Sequence, residues 1–225
     1  MGTRREVDTE ERALAAGAVT RLAAQRKDPN RVSVFIDGAF AFGLHVDVLV
    51  EHGVAKGQAL TVEQQERLIE ADRVRRAFAA AVEYLGHRAR TAHEVERRLL
   101  DKGYGEAAAA HTVERLRTLG YLDDEAFARE YVQARFRARG YGPRRIQADL
   151  RRRGVPAPLI EAALQEHLDE DDVLEAARRH ASKRHRRLAG EPDPRKRRQK
   201  LSAFLVRRGF SYDVARHVID ELENA

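Results

Sequence analysis

Cysteine and tryptophan are both absent from this chain of 225 residues, and aromatic residues make up only 6% of it. Without cysteine there are no disulfides, thiolate zinc sites or cysteine nucleophiles, a composition compatible with a reducing cytosol. With so few aromatics, a core has to rest on Leu, Val, Ile and Ala. Long apolar runs are missing too. The strongest, Phe78-Ala79-Ala80-Ala81-Val82, is far too short to span a bilayer. The start, Met1-Gly2-Thr3-Arg4-Arg5-Glu6-Val7-Asp8, leads into no apolar stretch of the kind a signal peptide needs. A cytoplasmic protein with no membrane partner is therefore expected.

Catalytic signatures are wanting as well. The nine histidines include no His-Glu-x-x-His zinc pattern, and neither a glycine-rich phosphate loop nor a Gly-x-Ser-x-Gly elbow occurs. Two acidic clusters, Asp123-Asp124-Glu125 and Asp169-Glu170-Asp171-Asp172, each precede an amphipathic stretch. Carboxylates are expected there as helix caps and first-turn residues. The expectation is a protein that is not an enzyme and takes no cofactor or metal.

What the chain has in abundance is positive charge, concentrated in two places. Residues 135–153 hold eight arginines against Asp149, and residues 178–208 hold thirteen basic residues against Glu191 and Asp193. The nets are +7 and +11 in a chain of net +6, which leaves −12 for the rest. Arginine outnumbers lysine 36 to 6. A GC-rich genome explains that choice of residue but not its concentration in two segments. Local positive fields of this kind attract polyanions, above all nucleic acid.

A phrase also recurs. An aliphatic residue, a second four positions on and a glycine four positions later, preceded by a basic residue, occur as Val95-Leu99-Lys102-Gly103-Tyr104, Ile146-Leu150-Arg153-Gly154-Val155 and Leu201-Leu205-Arg208-Gly209-Phe210. Spacing of four places both aliphatics on one helix face, and the glycine can adopt the left-handed conformation that closes a helix. The glycines lie 51 and 55 residues apart, so a tandem unit of about that size is expected.

Helices are expected over 74–86, 91–102, 106–119, 124–139, the second phrase opened by Gly142-Pro143, a stretch begun by Pro156 and Pro158, 172–188, 195–207, and a last one capped by Ser211. Capping boxes at Thr61-Val62-Glu63-Gln64 and Thr91-Ala92-His93-Glu94 mark two helix starts. Nine helices in threes result, each long first helix followed by the phrase helix and a short closing one. Upstream, Val32-Ser33-Val34-Phe35-Ile36 and Ala39-Phe40-Ala41-Phe42-Gly43-Leu44 flank an Asp37-Gly38 turn and read as a hairpin. Val32, Val34, Ile36, Phe40, Phe42 and Leu44 are expected on its apolar side. A third strand near Val19-Leu22 and a short helix over 47–51 complete this module.

The fold class expected is mainly α: three tandem three-helix repeats in an elongated curved array, preceded by a small β-hairpin module. The divisions are a loose arm over 1–18, the hairpin module over 19–60, repeat one with a lead-in helix over 61–122, repeat two over 123–168 and repeat three over 169–225.

On the helix of the second phrase, Ile146 and Leu150 point one way while Arg144, Arg145, Arg151 and Arg152 gather on roughly the opposite side. An ordinary solvated face is the plainer account of such residues. Only Asp149 is near enough to offset the stripe, however, and an uncompensated cluster costs self-repulsion, which favours a binding role. The run after the proline linker, with Arg195, Arg197 and Arg198, is equally basic, and Arg207 and Arg208 follow. These nine arginines are the candidate contacts.

The stretch Leu119-Gly120-Tyr121-Leu122-Asp123-Asp124-Glu125-Ala126-Phe127-Ala128-Arg129, with Gly142-Pro143-Arg144-Arg145-Ile146 and Leu150-Arg151-Arg152-Arg153-Gly154-Val155, resembles the RecX family of regulators of the bacterial RecA recombinase. The ending Lys200-Leu201-Ser202-Ala203-Phe204-Leu205-Val206-Arg207-Arg208-Gly209-Phe210-Ser211-Tyr212 is similar to that family's as well. The resemblance covers about residues 74–222. It departs at Ala107–Ala110, where larger aliphatics are usual. It implies a repeat array that lodges in the groove of the RecA–DNA filament and obstructs filament growth, strand exchange, ATPase and coprotease activity. The partners it implies are the RecA filament and single- or double-stranded DNA read with low sequence specificity. A helix-turn-helix transcriptional regulator is the alternative for three-helix units. Its base-reading side chains are scarce here, since the two asparagines, Asn30 and Asn224, lie on no candidate helix.

Overall fold

The computed structural model describes residues 14–224, so most of the arm expected over 1–18 lies outside the described residues. The first strand, β1 (Gly17–Gln25), begins within that arm. It is followed by β2 (Asp28–Ile36), β3 (Ala39–His45), a short helix α1 (Val46–Glu51) and β4 (Ala59–Leu60). Nine longer helices follow: α2 (Val62–Leu85), α3 (Ala92–Asp101), α4 (Glu106–Thr118), α5 (Asp124–Arg139), α6 (Pro143–Arg152), α7 (Ala157–His167), α8 (Glu170–Arg187), α9 (Pro194–Arg207) and α10 (Tyr212–Glu223). None of the described helices is long and apolar enough to cross a membrane. The chain divides into two compact units, residues up to Val82 with Leu99–Thr112, and Glu83–Arg98 with residues from Val113 onward.

In the first unit the strands form one antiparallel sheet of order β3-β2-β1-β4, so the expected hairpin gains two partners rather than one. Val19, Val34, Ile36, Phe42, Leu44, Val48, Leu60 and Leu68 make its buried core. Phe40 is a correction to the expected face. The ladder slips by one residue between Val34 and Phe35, so that Val34 pairs with Phe42 but Phe35 pairs with Phe40. A slip of one residue reverses the side a side chain takes. Phe40 is accordingly 45% exposed and meets the Phe35 ring edge-on, centroids 5.9 Å apart. The lead-in helix and the helix expected over 74–86 are one 24-residue helix, α2. Asp72 on it is buried and accepts from the Arg31 guanidinium at 3.0 and 3.2 Å and from the His45 backbone N–H at 2.7 Å, tying the helix to the sheet.

In the second unit, the second and third phrases each supply the centre of a core. Ile146 and Leu150 sit among Ala128, Val132, Val155, Ile160 and Ala163, and Leu201 and Leu205 among Ala176, Ala177, Ala181, Phe210, Ala215, Val218 and Ile219. All four aliphatics are at most 1% exposed, each burial stabilising by about 1.5–3 kcal/mol. Helix ends follow sequence-encoded caps. Asp123 accepts from the N–H groups of Glu125 and Ala126, Asp169 from Asp172 and Ser211 from Val214. With Asp169 as the cap, α8 starts at Glu170, two residues before the expected start.

All three phrase glycines are left-handed, with φ of 81° at Gly103, 77° at Gly154 and 95° at Gly209. The residue after each donates its N–H to the second aliphatic of its phrase, at 3.2 Å in every case: Tyr104 to Leu99, Val155 to Leu150 and Phe210 to Leu205.

Within the second unit these closures also dock. The Thr91 hydroxyl at the start of α3 donates to the Arg153 carbonyl at 2.6 Å. At the start of α6, the N–H groups of Gly142 and Arg144 donate to the carbonyls of Arg208 and Gly209 at 2.8 and 3.0 Å. Counted back from the first aliphatic of each phrase, Thr91 and Gly142 occupy the same place, as do Arg153 and Arg208 before their glycines. The C-terminus of one phrase helix thus meets the N-terminus of the preceding one, satisfying donors and carbonyls that helix ends leave unpaired and setting the dipoles head to tail. A side chain on Gly209 would run into the Arg145 backbone, whereas one on Gly103 would meet open space. Replacing either glycine by alanine incurs the left-handed strain of roughly 1–2 kcal/mol. Gly209→Ala is expected to lose about 1–3 kcal/mol more than Gly103→Ala in denaturant unfolding. Equal losses would contradict the docking role.

Candidate functional site

The basic residues of the middle repeat converge on an open groove of about 450 Å³. Arg88, Arg135, Arg145, Arg152 and Arg153 line it with Tyr131, Tyr141, Glu94 and Asp149, so five guanidiniums face two carboxylates. Both carboxylates are engaged. Glu94 accepts from Arg153 at 2.6 Å and Arg88 at 3.1 Å, while Asp149 pairs with Arg152 and receives the Tyr131 hydroxyl at 3.4 Å.

Aromatic rings hold the remaining cations, Arg135 and Arg145, and back Arg153 as well. The Arg145 guanidinium lies 3.9 Å from the Tyr141 ring centroid, and Arg135 and Arg153 lie 4.8 and 5.2 Å from that of Tyr131, which stacks on Phe127. Such contacts orient a guanidinium without neutralising it. Arg145 therefore stands exposed, aimed and without a carboxylate partner among the described residues.

Burial alone would push the Glu94 carboxyl up. Hydrogen bonds from Arg88 and the Thr91 N–H, with the charge of Arg153, outweigh it and hold the group below the usual carboxylate range. The capping box at Thr91 is formed in both directions, each bond 3.2 Å. The Asp124 carboxylate adds a bond to the Ala92 N–H at 2.9 Å. Acidic residues near the groove thus act as caps and tethers. Among the described residues no group of three or more His, Asp or Glu is placed to hold a metal ion.

The candidate arginines do not form one surface. Arg145 and Arg152 line the groove, but Arg144 borders a different, mainly apolar depression with Leu164, Leu168, Val173 and Val214. Arg151 is exposed and, like Arg144, has no ion pair among the described residues. In the last repeat Arg195, Arg197 and Arg207 are exposed or half-buried, free of ion pairs among the described residues. Arg198 bridges α9 to α10 through Asp220 and Glu223. Arg208 is half-buried and donates to the Arg139 carbonyl at 2.8 Å, closing the end of α5.

Seven groove residues stand outside the set picked from sequence: Arg88, Arg135, Arg153, Tyr131, Tyr141 and the two carboxylates, Glu94 and Asp149. Arg135 and Arg153 lie in the basic segment over 135–153, a signal that was available. Arg88 is a long way off along the chain, and only tertiary structure brings it in.

A small β module followed by three-helix units closed by docking glycines, with an arginine-lined groove in the middle unit, defines a tandem helical-repeat protein. Family models match along most of its length. Residues 17–61 match the N-terminal domain of regulatory protein RecX, and residues 77–116, 123–164 and 170–219 match the first, second and third RecX three-helix domains. The chain belongs to the RecX family. It is 32% identical to the regulatory protein RecX of Bacillus licheniformis, over 91% of this chain and 77% of that one. It is 30% identical to that of Bacillus subtilis, with the same coverage. A crystal structure of regulatory protein RecX superposes with a TM-score of 0.73 at 28% identity, covering 91% of this chain and 99% of that chain. RecX from Lactobacillus salivarius gives 0.62 at 28% identity, over 69% of this chain and 99% of that chain.

The Glu94 tether makes a prediction. A carboxyl whose folded pKa is depressed contributes stability above its unfolded pKa and loses it as pH falls through the folded one. Glu94→Gln should lose about 1–2 kcal/mol at pH ~7, where hydrogen bonds to a charged group are broken. The gap between variant and parent should narrow as pH falls below the ordinary glutamate range and close only once pH has passed the depressed folded value, where Glu94 itself is protonated. Denaturant titrations at several pH values check this, and a gap independent of pH would contradict it.

Proposed function

We propose that this chain is an inhibitor of the RecA recombinase, binding the RecA–DNA filament in its groove and obstructing filament growth, strand exchange and the associated ATPase and coprotease activities. Family membership supports a regulatory role. The observation that carries the molecular reading is the middle-repeat groove, where Arg145 is held on Tyr141 beside Arg88, Arg135 and Arg153 with both nearby carboxylates already committed. Such a surface suits an acidic protein face or a phosphate backbone and needs no catalysis of its own. DNA contact is read as electrostatic and of low sequence specificity, and the place of action as the cytoplasm.

A helix-turn-helix regulator would present the N-terminal turn of a recognition helix to base edges. The first turn of α6 is instead taken up by backbone bonds from Gly142 and Arg144 to Arg208 and Gly209, which weighs against that alternative.

Arg144→Ala combined with Arg145→Ala removes two exposed cations while keeping the Cβ of Arg145 that packs beside Gly209. In assays of DNA-dependent ATP hydrolysis by the cognate RecA, the double variant should need at least about tenfold more protein for half-inhibition, or roughly 1.4 kcal/mol of lost interaction. Its helical content should match the parent, and inhibition by both should weaken with added salt. Unchanged inhibition by the folded double variant would remove the middle repeat from the mechanism. Loss of effect on RecA with tight binding to one duplex sequence would favour the transcriptional reading.

A further inference from the structure

The third repeat holds a second cationic cavity, separate from the groove above. It is lined by His180, Lys183, Arg184 and Arg187 of α8 and by Phe204 and Arg208 at the end of α9, with a volume of about 240 Å³. Ala176, Ala177 and Ala181 of α8 pack into the core, and the four α8 residues of the cavity fall at i, i+3, i+4 and i+7 in a second stripe beside them. Here the stripe is basic, and no carboxylate lines the cavity.

Its interior is desolvated and incompletely satisfied. The Nε atoms of Arg184 and Arg208 are buried without a hydrogen-bond partner. Both guanidiniums lie over the Phe204 ring, 5.5 and 5.6 Å from its centroid, which fixes their planes. Arg208 is further anchored by its bond to the Arg139 carbonyl at 2.8 Å. Lys183 and Arg187 are exposed at the rim and have no ion pair among the described residues. Buried, unpaired donors of this kind are costly unless something completes them.

The His180 ring rests against Gly140, where a side chain could not fit. Burial lowers its pKa, the charges of Arg208, Arg179 and Lys183 lower it further, and a hydrogen bond to the Gly140 backbone works the other way. The groups facing it are therefore Arg179, Lys183, Arg184 and Arg187 on α8, Phe204 and Arg208 from α9, the Phe210 ring at 6.2 Å, and the end of α5. Every charged group in that set is positive.

We propose that this cavity is a phosphate-binding site, taking the phosphate of a free nucleotide or of a nucleic-acid backbone between Arg184 and Arg208, with Lys183 and Arg187 at the rim and His180 beside them. The anion supplies acceptors for donors that now have none and relieves the mutual repulsion of the cations. A bound anion favours the protonated form of His180, whose pKa burial and the neighbouring cations otherwise hold down, so affinity rises as pH falls.

The full-length chain titrated with inorganic pyrophosphate by calorimetry tests this. The parent should bind, at least about fivefold more tightly at pH 6 than at pH 8. His180→Asn should lose that gain at low pH, leaving only the opposite, weakening trend that protonation of pyrophosphate itself produces. Lys183→Gln combined with Arg187→Gln alters only exposed rim residues, so the fold is retained; it should weaken binding at least tenfold. Arg186→Gln, on the same helix but off the stripe, should leave it unchanged. Absence of binding by the parent, or equal loss in the rim variant and in Arg186→Gln, would overturn the proposal. A single-stranded oligonucleotide that displaces pyrophosphate identifies the backbone phosphate as the source. Failure to displace it, with ATP competing instead, identifies a nucleotide.

Discussion

The interaction on which the second unit depends is the docking of a left-handed glycine turn onto the first turn of the preceding phrase helix. Bonds from Thr91 to Arg153, and from Gly142 and Arg144 to Arg208 and Gly209, recur at matching places, and each joins the end of one helix to the start of another. A helix end that bonds to a helix start completes groups both would otherwise leave to water. A Cβ has no room at either docked glycine: at Gly209 it would meet the Arg145 backbone, and at Gly154 the His93 side chain. The repeated phrase in the sequence is therefore a joint as well as a helix stop, and the aliphatics four residues apart anchor it in the core.

The same joint arranges the charges. Docking of Gly209 fixes the first turn of α6, from which Arg144 and Arg145 project to different sides. Docking at Thr91 brings Arg88 and Glu94 beside Arg153, so one wall of the arginine groove comes from the preceding repeat. Arg135 and Arg145 are held by tyrosine rings, which leave their positive field in place, while Glu94 and Asp149 pair with Arg88, Arg152 and Arg153. A surface built this way is suited to a partner that is itself anionic or acidic.

Much of this was legible in the residue pattern, for identifiable reasons. The capping boxes at Thr61 and Thr91 formed as their spacing requires, and the phrase aliphatics are buried because a four-residue step admits one helical reading. The outward turn of Phe40 was not legible, because alternation carries no mark of a slipped register. Strand β4, two residues long, offers no periodicity to read. At the groove, Arg145 and Arg152 were legible as a helical stripe. The role of Arg88 and the pairing of Arg198 with Asp220 and Glu223 were not, since each depends on residues brought together only by the fold. Tyr131 and Tyr141 carry no mark of their role in sequence and are half-buried platforms for guanidiniums in the structure.

The central claim, that the arginine-bearing face of the middle repeat is what meets the RecA filament, is tested most directly by electron cryomicroscopy of the chain bound to the cognate filament on single-stranded DNA. The account predicts α5 and α6 against the filament, with Arg145 and its neighbouring arginines in contact with RecA or DNA. A complex held through another face, with the α6 arginines left in solvent, would contradict it.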